Sequence, residues 1–175
     1  VWWLAGQLRR HLATAYRAPV PVVCIGNLTA GGAGKTPLVA WLFDQLTVRG
    51  WHPAILSRGH GGSASGPLWV DPAEHDAAIC GDEPLMLADG RDVLISKDRA
   101  RGARVIAERG VHDVILMDDG MQNPYLVHDL TIGVFDGATG IGNGWLIPAG
   151  PLRTPLGEGM AKLDFAVING DDETR

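Results

Sequence analysis

Thr29-Ala30-Gly31-Gly32-Ala33-Gly34-Lys35-Thr36 follows the apolar run Pro21-Val22-Val23-Cys24-Ile25 and precedes Leu38, Val39, Trp41, Leu42 and Leu46, which recur at helical spacing. A buried strand, a glycine-rich turn and a helix, in that order, are the setting of a phosphate-binding loop. Three glycines in four positions let successive backbone N–H groups turn toward one anion, and the helix N-terminus adds its partial positive charge. Lys35 is placed to reach the outer phosphates of a nucleoside triphosphate, and the Thr36 hydroxyl to take one position on Mg²⁺. The strict form of the motif has glycine where Thr29 stands, so a ligand-free strand-to-helix turn is the simpler alternative. Pro37 is compatible with the first helical turn, where its missing N–H would have no intrahelical partner.

The chain has 175 residues and a net charge of −5, with 46% hydrophobic, 6% aromatic and 20% charged residues. This fits one α/β domain of ordinary core size and gives no general nucleic-acid surface. Cys24 and Cys80 form neither a disulfide framework nor a metal-ligand spacing, and read as reduced thiols of a cytosolic protein. Residues 1–18 form an expected amphipathic helix. Val1, Leu4, Ala5, Leu8, Leu12, Ala15 and Tyr16 share one face, Arg10 and Arg17 lie opposite, and Arg9 lies to the side. The segment is too short and too charged to span a bilayer. Two readings remain: it lies flat in an anionic interface with Trp2 or Trp3 near the headgroups, or it packs on the remaining residues, 19–175.

Beyond the first helix, Pro53 to Ser57 reads as a strand, followed by a mobile-looking run from Arg58 to Gly66 and a short strand at Leu68-Trp69-Val70. Gly81-Asp82-Glu83-Pro84 opens a helical segment, Asp92 to Ser96 is a strand, and a basic helix runs from about Arg99 to Arg109. Val114 to Met117, Leu130 to Phe135 and Phe165 to Ile168 supply further strands, with a Gly/Pro-rich stretch from Gly137 to Pro155. The alternation predicts a largely parallel sheet with helices on both faces, of the phosphate-loop NTPase type. Ligands of such sheets bind beyond the carboxyl ends of the strands, which selects residues 29–36, 57–62, 96–99 and 118–122.

Asp118 and Asp119 close the most strand-like run, where a carboxylate supports Mg²⁺ opposite a phosphate-loop threonine; a strand-ending Asp-Gly turn is the alternative. Asp98 lies between Lys97 and Arg99 after another strand. It suits a base for an alcohol acceptor, or equally an N-cap for the basic helix. Arg58 and Gly59 offer a cation among flexible glycines for a phosphate on the acceptor, or an ordinary surface loop. His60 reads as a polar loop residue and Glu83 as a helix-dipole partner. Arg153 binds an anion or anchors its loop.

The ordered set formed by Gly26 to Pro37, Ser57-Arg58-Gly59, Gly81 to Pro84, Asp98-Arg99, Asp118-Asp119-Gly120 with Gln122, Gly142-Asn143-Gly144 and Pro148 to Arg153 resembles the tetraacyldisaccharide 4′-kinases of Gram-negative bacteria. The resemblance runs along nearly the whole chain and implies transfer of the ATP γ-phosphate, with Mg²⁺, to the 4′-hydroxyl of an acylated disaccharide 1-phosphate in lipid A biosynthesis. It implies work at the cytoplasmic face of the inner membrane, with a membrane surface and the lipid precursor as partners and no protein or nucleic-acid partner. In that family a threonine at the position of Thr29 is usual. Residues 29–36 then hold ATP, Thr36 and Asp118 belong to the Mg²⁺ site, and Asp98, Lys35 and Asp119 form the catalytic group. Arg58, Gly59, Gln122 and Arg153 are the candidate acceptor contacts. Asn123, Thr154 and His60 depart from the family's usual histidine, glutamate and tyrosine. Family members are about twice as long as one such domain, so the chain is expected to be incomplete and, by itself, weakly active or inactive. A nucleotide-switch ATPase acting through a partner, and a non-catalytic fragment, are the competing functions.

Overall fold

Short apolar runs with little polar alternation build strands buried on both faces, and the computed structural model, which describes residues 14–170, contains such a sheet. In chain order the elements are β1 (Val22–Gly26), α1 (Lys35–Val48), β2 (Pro53–Ser57), β3 (Leu68–Trp69), α2 (Ala77–Cys80), α3 (Asp82–Leu87), β4 (Val93–Ile95), α4 (Arg99–Arg109), β5 (Val114–Asp118), β6 (Leu130–Asp136), α5 (Leu156–Met160) and β7 (Phe165–Asn169). The sheet order is β3-β4-β2-β5-β1-β6-β7, and every pairing is parallel except β3 with β4. All residues of β2, β4 and β5 are buried.

Alternate strand residues feed two different cores. Val39 and Phe43 of α1 and Leu87 of α3 pack with Ile25, Ile55 and Leu116 on one face. Ala103 and Ile106 of α4 pack with Leu56, Leu94, Ile115 and Met117 on the other. Helices therefore cover both faces, as expected. Trp41, read with the apolar periodicity of α1, lies on its outer side at 57% exposure, and Phe43 takes the core position instead. A third cluster of Cys24, Leu28, Met121 and Leu152 fastens the Gly/Pro-rich stretch to the β1 end of the sheet. Burial pushes the Cys24 thiol up to about 12, so this sulfur stays protonated and serves as packing.

Two expectations are corrected. Residues 14–18 are not helical: the Tyr16 N–H donates to the Tyr125 carbonyl at 2.8 Å, and the Val127 N–H donates to the Tyr16 carbonyl at 2.9 Å. Tyr16 is thus paired in parallel with Leu126, and its main chain is used across the fold rather than within a helix. Ala18, preceding Pro19, is also pushed out of helical geometry. The rest of the expected helix, residues 1–13, lies outside the described residues. The second correction is the run from Arg58 to Gly66, which is held by main-chain bonds from Ser63 to Ala78, Ala64 to Ile79 and Lys97 to Ser65.

Candidate active site

Register decides which residues meet. Ile25 lies beside Asp118, Leu56 beside Met117 and Ser57 beside Ile95, so the carboxyl ends of β1, β2, β4 and β5 share one edge. The phosphate loop leaves β1 at that edge. Gly34 ends it with φ +83°, a conformation that suits glycine, and serves as the N-cap of α1. Thr29 has no such requirement, because it forms an antiparallel bridge with Leu152. The Ala30 N–H donates to the Pro151 carbonyl and the Arg153 N–H to the Leu28 carbonyl, each at 2.8 Å. A side chain is tolerated in this extended pairing, which explains why the strict glycine is dispensable here. Wholly buried Asn27 donates from Nδ2 to the Gly31 carbonyl at 3.4 Å and accepts on its own carbonyl from Gln122 Nε2 at 3.3 Å.

Asp118 ends β5 with its side chain buried and its Oδ1 lacking any hydrogen-bond partner. Burial pushes its carboxyl up to about 6; Glu83 and Asp119 push the same way, while Lys35 and Arg99 oppose. Asp119 has φ +48° and donates its N–H to the Ile25 carbonyl at 2.9 Å. Its two carboxylate oxygens each accept from Arg153 Nη1 at 3.0 Å, and Lys35 Nζ lies 4.0 Å from Oδ1. One carboxylate thus holds two cations at the loop. Beneath them, buried Arg99 donates from Nη1 to the Ser96 carbonyl and from Nη2 to the Asp118 carbonyl. Burial pulls its guanidinium down to about 10, against the attraction of Asp118.

Asp98 is the N-cap of α4, its Oδ1 accepting from the Arg101 N–H at 2.9 Å. The capping alternative is therefore realised in the structure. A cavity of about 1460 Å³ brings Gly31–Thr36, Arg58, Asp98, Asp118, Asp119, Gln122 and Arg153 together. Thr29, Ala30 and Gly59 do not line it. The first two are engaged by the Pro151–Arg153 segment, and Gly59, at φ +72°, packs against Ile95 and the Cys80 carbonyl. His60, Asn123 and Thr154 all line the cavity. The side chain of Asn123 accepts from the Tyr125 N–H, and Thr154 is buried.

Glu83 is the residue the sequence reading undervalued. It lines the cavity and raises the Asp118 carboxyl, whereas its sequence position at a helix start suggested only a dipole partner. No strand immediately precedes it. It reaches the site because Gly81, at φ +91°, packs where any side chain would strike the His60 carbonyl. Tyr16 and Arg104 also reach the cavity without an adjacent motif to announce them, and Arg99 reaches it beside Asp98.

The donor set suits Mg²⁺: a buried unpartnered carboxylate oxygen on Asp118, the Thr36 hydroxyl and the Glu83 carboxylate are hard oxygen ligands. Among the described residues no group of three or more His, Cys, Asp or Glu side chains is close enough to hold a metal.

A parallel sheet whose first strand feeds a glycine-rich loop, with a lysine and threonine opening the next helix and a carboxylate at an adjacent strand end, defines a phosphate-loop nucleotide-binding protein of the kinase and NTPase class. The family model for tetraacyldisaccharide-1-P 4′-kinase matches residues 1–175. Tetraacyldisaccharide 4′-kinases of Rhodospirillum centenum and Gluconacetobacter diazotrophicus are 51% and 52% identical over 97% and 95% of the chain. A crystal structure of LpxK from Aquifex aeolicus, described as an "apo" form in complex with ATP, superposes with a TM-score of 0.82 at 31% identity, over 96% of this chain and 55% of that one. The chain belongs to the tetraacyldisaccharide 4′-kinase family. It spans about half the length of the curated relatives it matches.

Proposed function

We propose that the protein containing this chain transfers the γ-phosphate of ATP to the 4′-hydroxyl of a tetraacyl glucosamine disaccharide 1-phosphate, and that this chain supplies the donor half of the site. The observation that carries the proposal is the single cavity in which the phosphate loop, Asp118 and the Arg58 and Arg153 guanidinium groups converge. Backbone N–H groups of Gly31–Gly34 and the start of α1 cradle the phosphates, and Lys35 neutralises the outer ones. Arg153 is already held at the loop by Asp119, so its charge is in place before the nucleotide arrives. Thr36, Asp118 and Glu83 would hold Mg²⁺, which supplies charge neutralisation to the transferring phosphoryl group. Arg58 and Gln122 face the acceptor, and Gln122 Nε2 also donates to the Asn27 carbonyl behind the loop.

The family resemblance points to Asp98 as acceptor of the hydroxyl proton, using the carboxylate oxygen left free by its cap. An acylated acceptor favours work at a membrane surface, and the family resemblance favours the cytoplasmic face of the inner membrane as that surface. No helix among the described residues is long and apolar enough to cross a membrane. The deciding experiment supplies the full-length protein with ATP, Mg²⁺ and the acylated disaccharide 1-phosphate. Formation of the bisphosphorylated lipid is expected, and its absence from a protein that binds ATP normally would overturn the proposal.

A further inference from the structure

Of the cations lining the cavity, Lys35 and Arg153 face Asp119 and Arg99 is buried against main-chain carbonyls, while Arg58, Lys97 and Arg104 have no such partner among the described residues. Among these three, Arg104 is the one seated on an aromatic ring. Its guanidinium lies over the Tyr16 ring, 4.2 Å from the centroid, and it makes no hydrogen bond or ion pair with any described residue. Stacking on a ring occupies the face of a guanidinium and leaves its edge N–H donors pointing outward. The platform itself is fixed, since the Tyr16 main chain is bonded on both sides to the segment from Tyr125 to Val127. The result is a positioned cation whose donors have no partner among the described residues.

Its location matters as much as its charge. Arg104 lies one helical turn beyond Ala100, which also lines the cavity, and six residues past the Asp98 cap, or about 9 Å along the α4 axis at the usual helical rise. The α4 helix covers the opposite face of the sheet from α1, which carries Lys35 and Thr36. Arg104 is therefore set back from the phosphate loop while sharing its cavity. The substrate in the family description carries a phosphate at position 1 and receives another at position 4′, on the other sugar. Two phosphates held at once by one acceptor and one donor need two anion sites separated by the disaccharide.

We propose that Arg104, seated on Tyr16, binds the phosphate the acceptor already carries, and so selects a phosphorylated disaccharide and orients its far hydroxyl toward the phosphate loop. This rests on the kinase reading above. The test uses the full-length protein, the acylated disaccharide 1-phosphate and the same disaccharide lacking the 1-phosphate. Arg104→Ala is expected to raise KM for the phosphorylated acceptor on the order of 10- to 100-fold, the worth of a charged hydrogen-bonded contact. KM for ATP and KM for the acceptor lacking phosphate should change by no more than about twofold on the same scale, and Arg104→Lys should recover part of the loss. An equal loss with both acceptors, or no loss with either, overturns the subsite. If the wild-type protein phosphorylates neither acceptor, the kinase reading falls instead. Calorimetric binding of the two acceptors to the wild-type and Arg104→Ala proteins then still decides the subsite, which requires the phosphate-dependent part of the affinity to vanish with Arg104.

Discussion

Asp118→Asn should make the protein more stable and less able to bind its nucleotide. The Asp118 carboxyl is pushed up to about 6 in the folded protein from an ordinary 3.8, because it is buried near Glu83 and Asp119. A folded-state value above the unfolded one means that the folded protein holds the proton more tightly. Ionising the group therefore costs stability as pH rises. The cost is absent below about pH 4, grows between 4 and 6, and is complete above about 6. A shift of about two units corresponds to roughly 3 kcal/mol, an upper bound for the gain on replacing the carboxylate with a neutral amide. Urea denaturation of the full-length wild-type and variant proteins at pH 4 and pH 8, without Mg²⁺, measures it. The variant should have the higher midpoint at pH 8 and a matching midpoint at pH 4. Saturating Mg²⁺ and ATP should reverse the order at pH 8, since only the wild type retains the full oxygen ligand set. A variant less stable at pH 8, or equally stabilised at both pH values, would refute the reasoning.

Three further outcomes are expected. Lys35→Ala should abolish ATP binding in equilibrium dialysis at nucleotide concentrations that saturate the wild type. Leu152→Ala truncates a side chain that is 1% exposed in the cluster behind the phosphate loop; it should cost about 2–5 kcal/mol of stability and weaken ATP binding together, whereas a loss of stability with unchanged affinity would separate the cluster from the loop. Asp98→Asn keeps an N-cap acceptor but removes the base. It should leave the melting temperature nearly unchanged and lower kcat by roughly 10²–10⁴, while full turnover would leave Asp98 a cap and move the base to the Asp82-Glu83 pair that opens α3.

The parts of the site visible in the sequence are those made by neighbours in the chain. Gly31 to Thr36 follow their strand directly, and Asp118 closes β5, so periodicity and loop chemistry locate both. Strand buried on both faces left little room for another reading of Val114 to Met117. Glu83, Arg104 and the backing of Thr29 by Leu152 arise from tertiary contacts that no local pattern encodes. The end of the expected N-terminal helix failed for a related reason: the apolar period around Tyr16 was real, but its main chain had a better use beside Leu126. Asp98 shows the converse limit, because a cap and a base demand the same residue type at the same place.

The bonds joining Ala30 to Pro151 and Arg153 to Leu28 cross roughly 120 residues of chain. During synthesis, β1 and its glycines leave the ribosome long before the segment that holds them in shape. A nascent chain that stops short of Pro151 has the nucleotide motif but not its support, so under the proposed function ATP is expected to bind the assembled core alone. Mass action then makes the nucleotide a stabiliser of correctly completed chains, favouring them over earlier intermediates by an amount that grows with its cellular concentration.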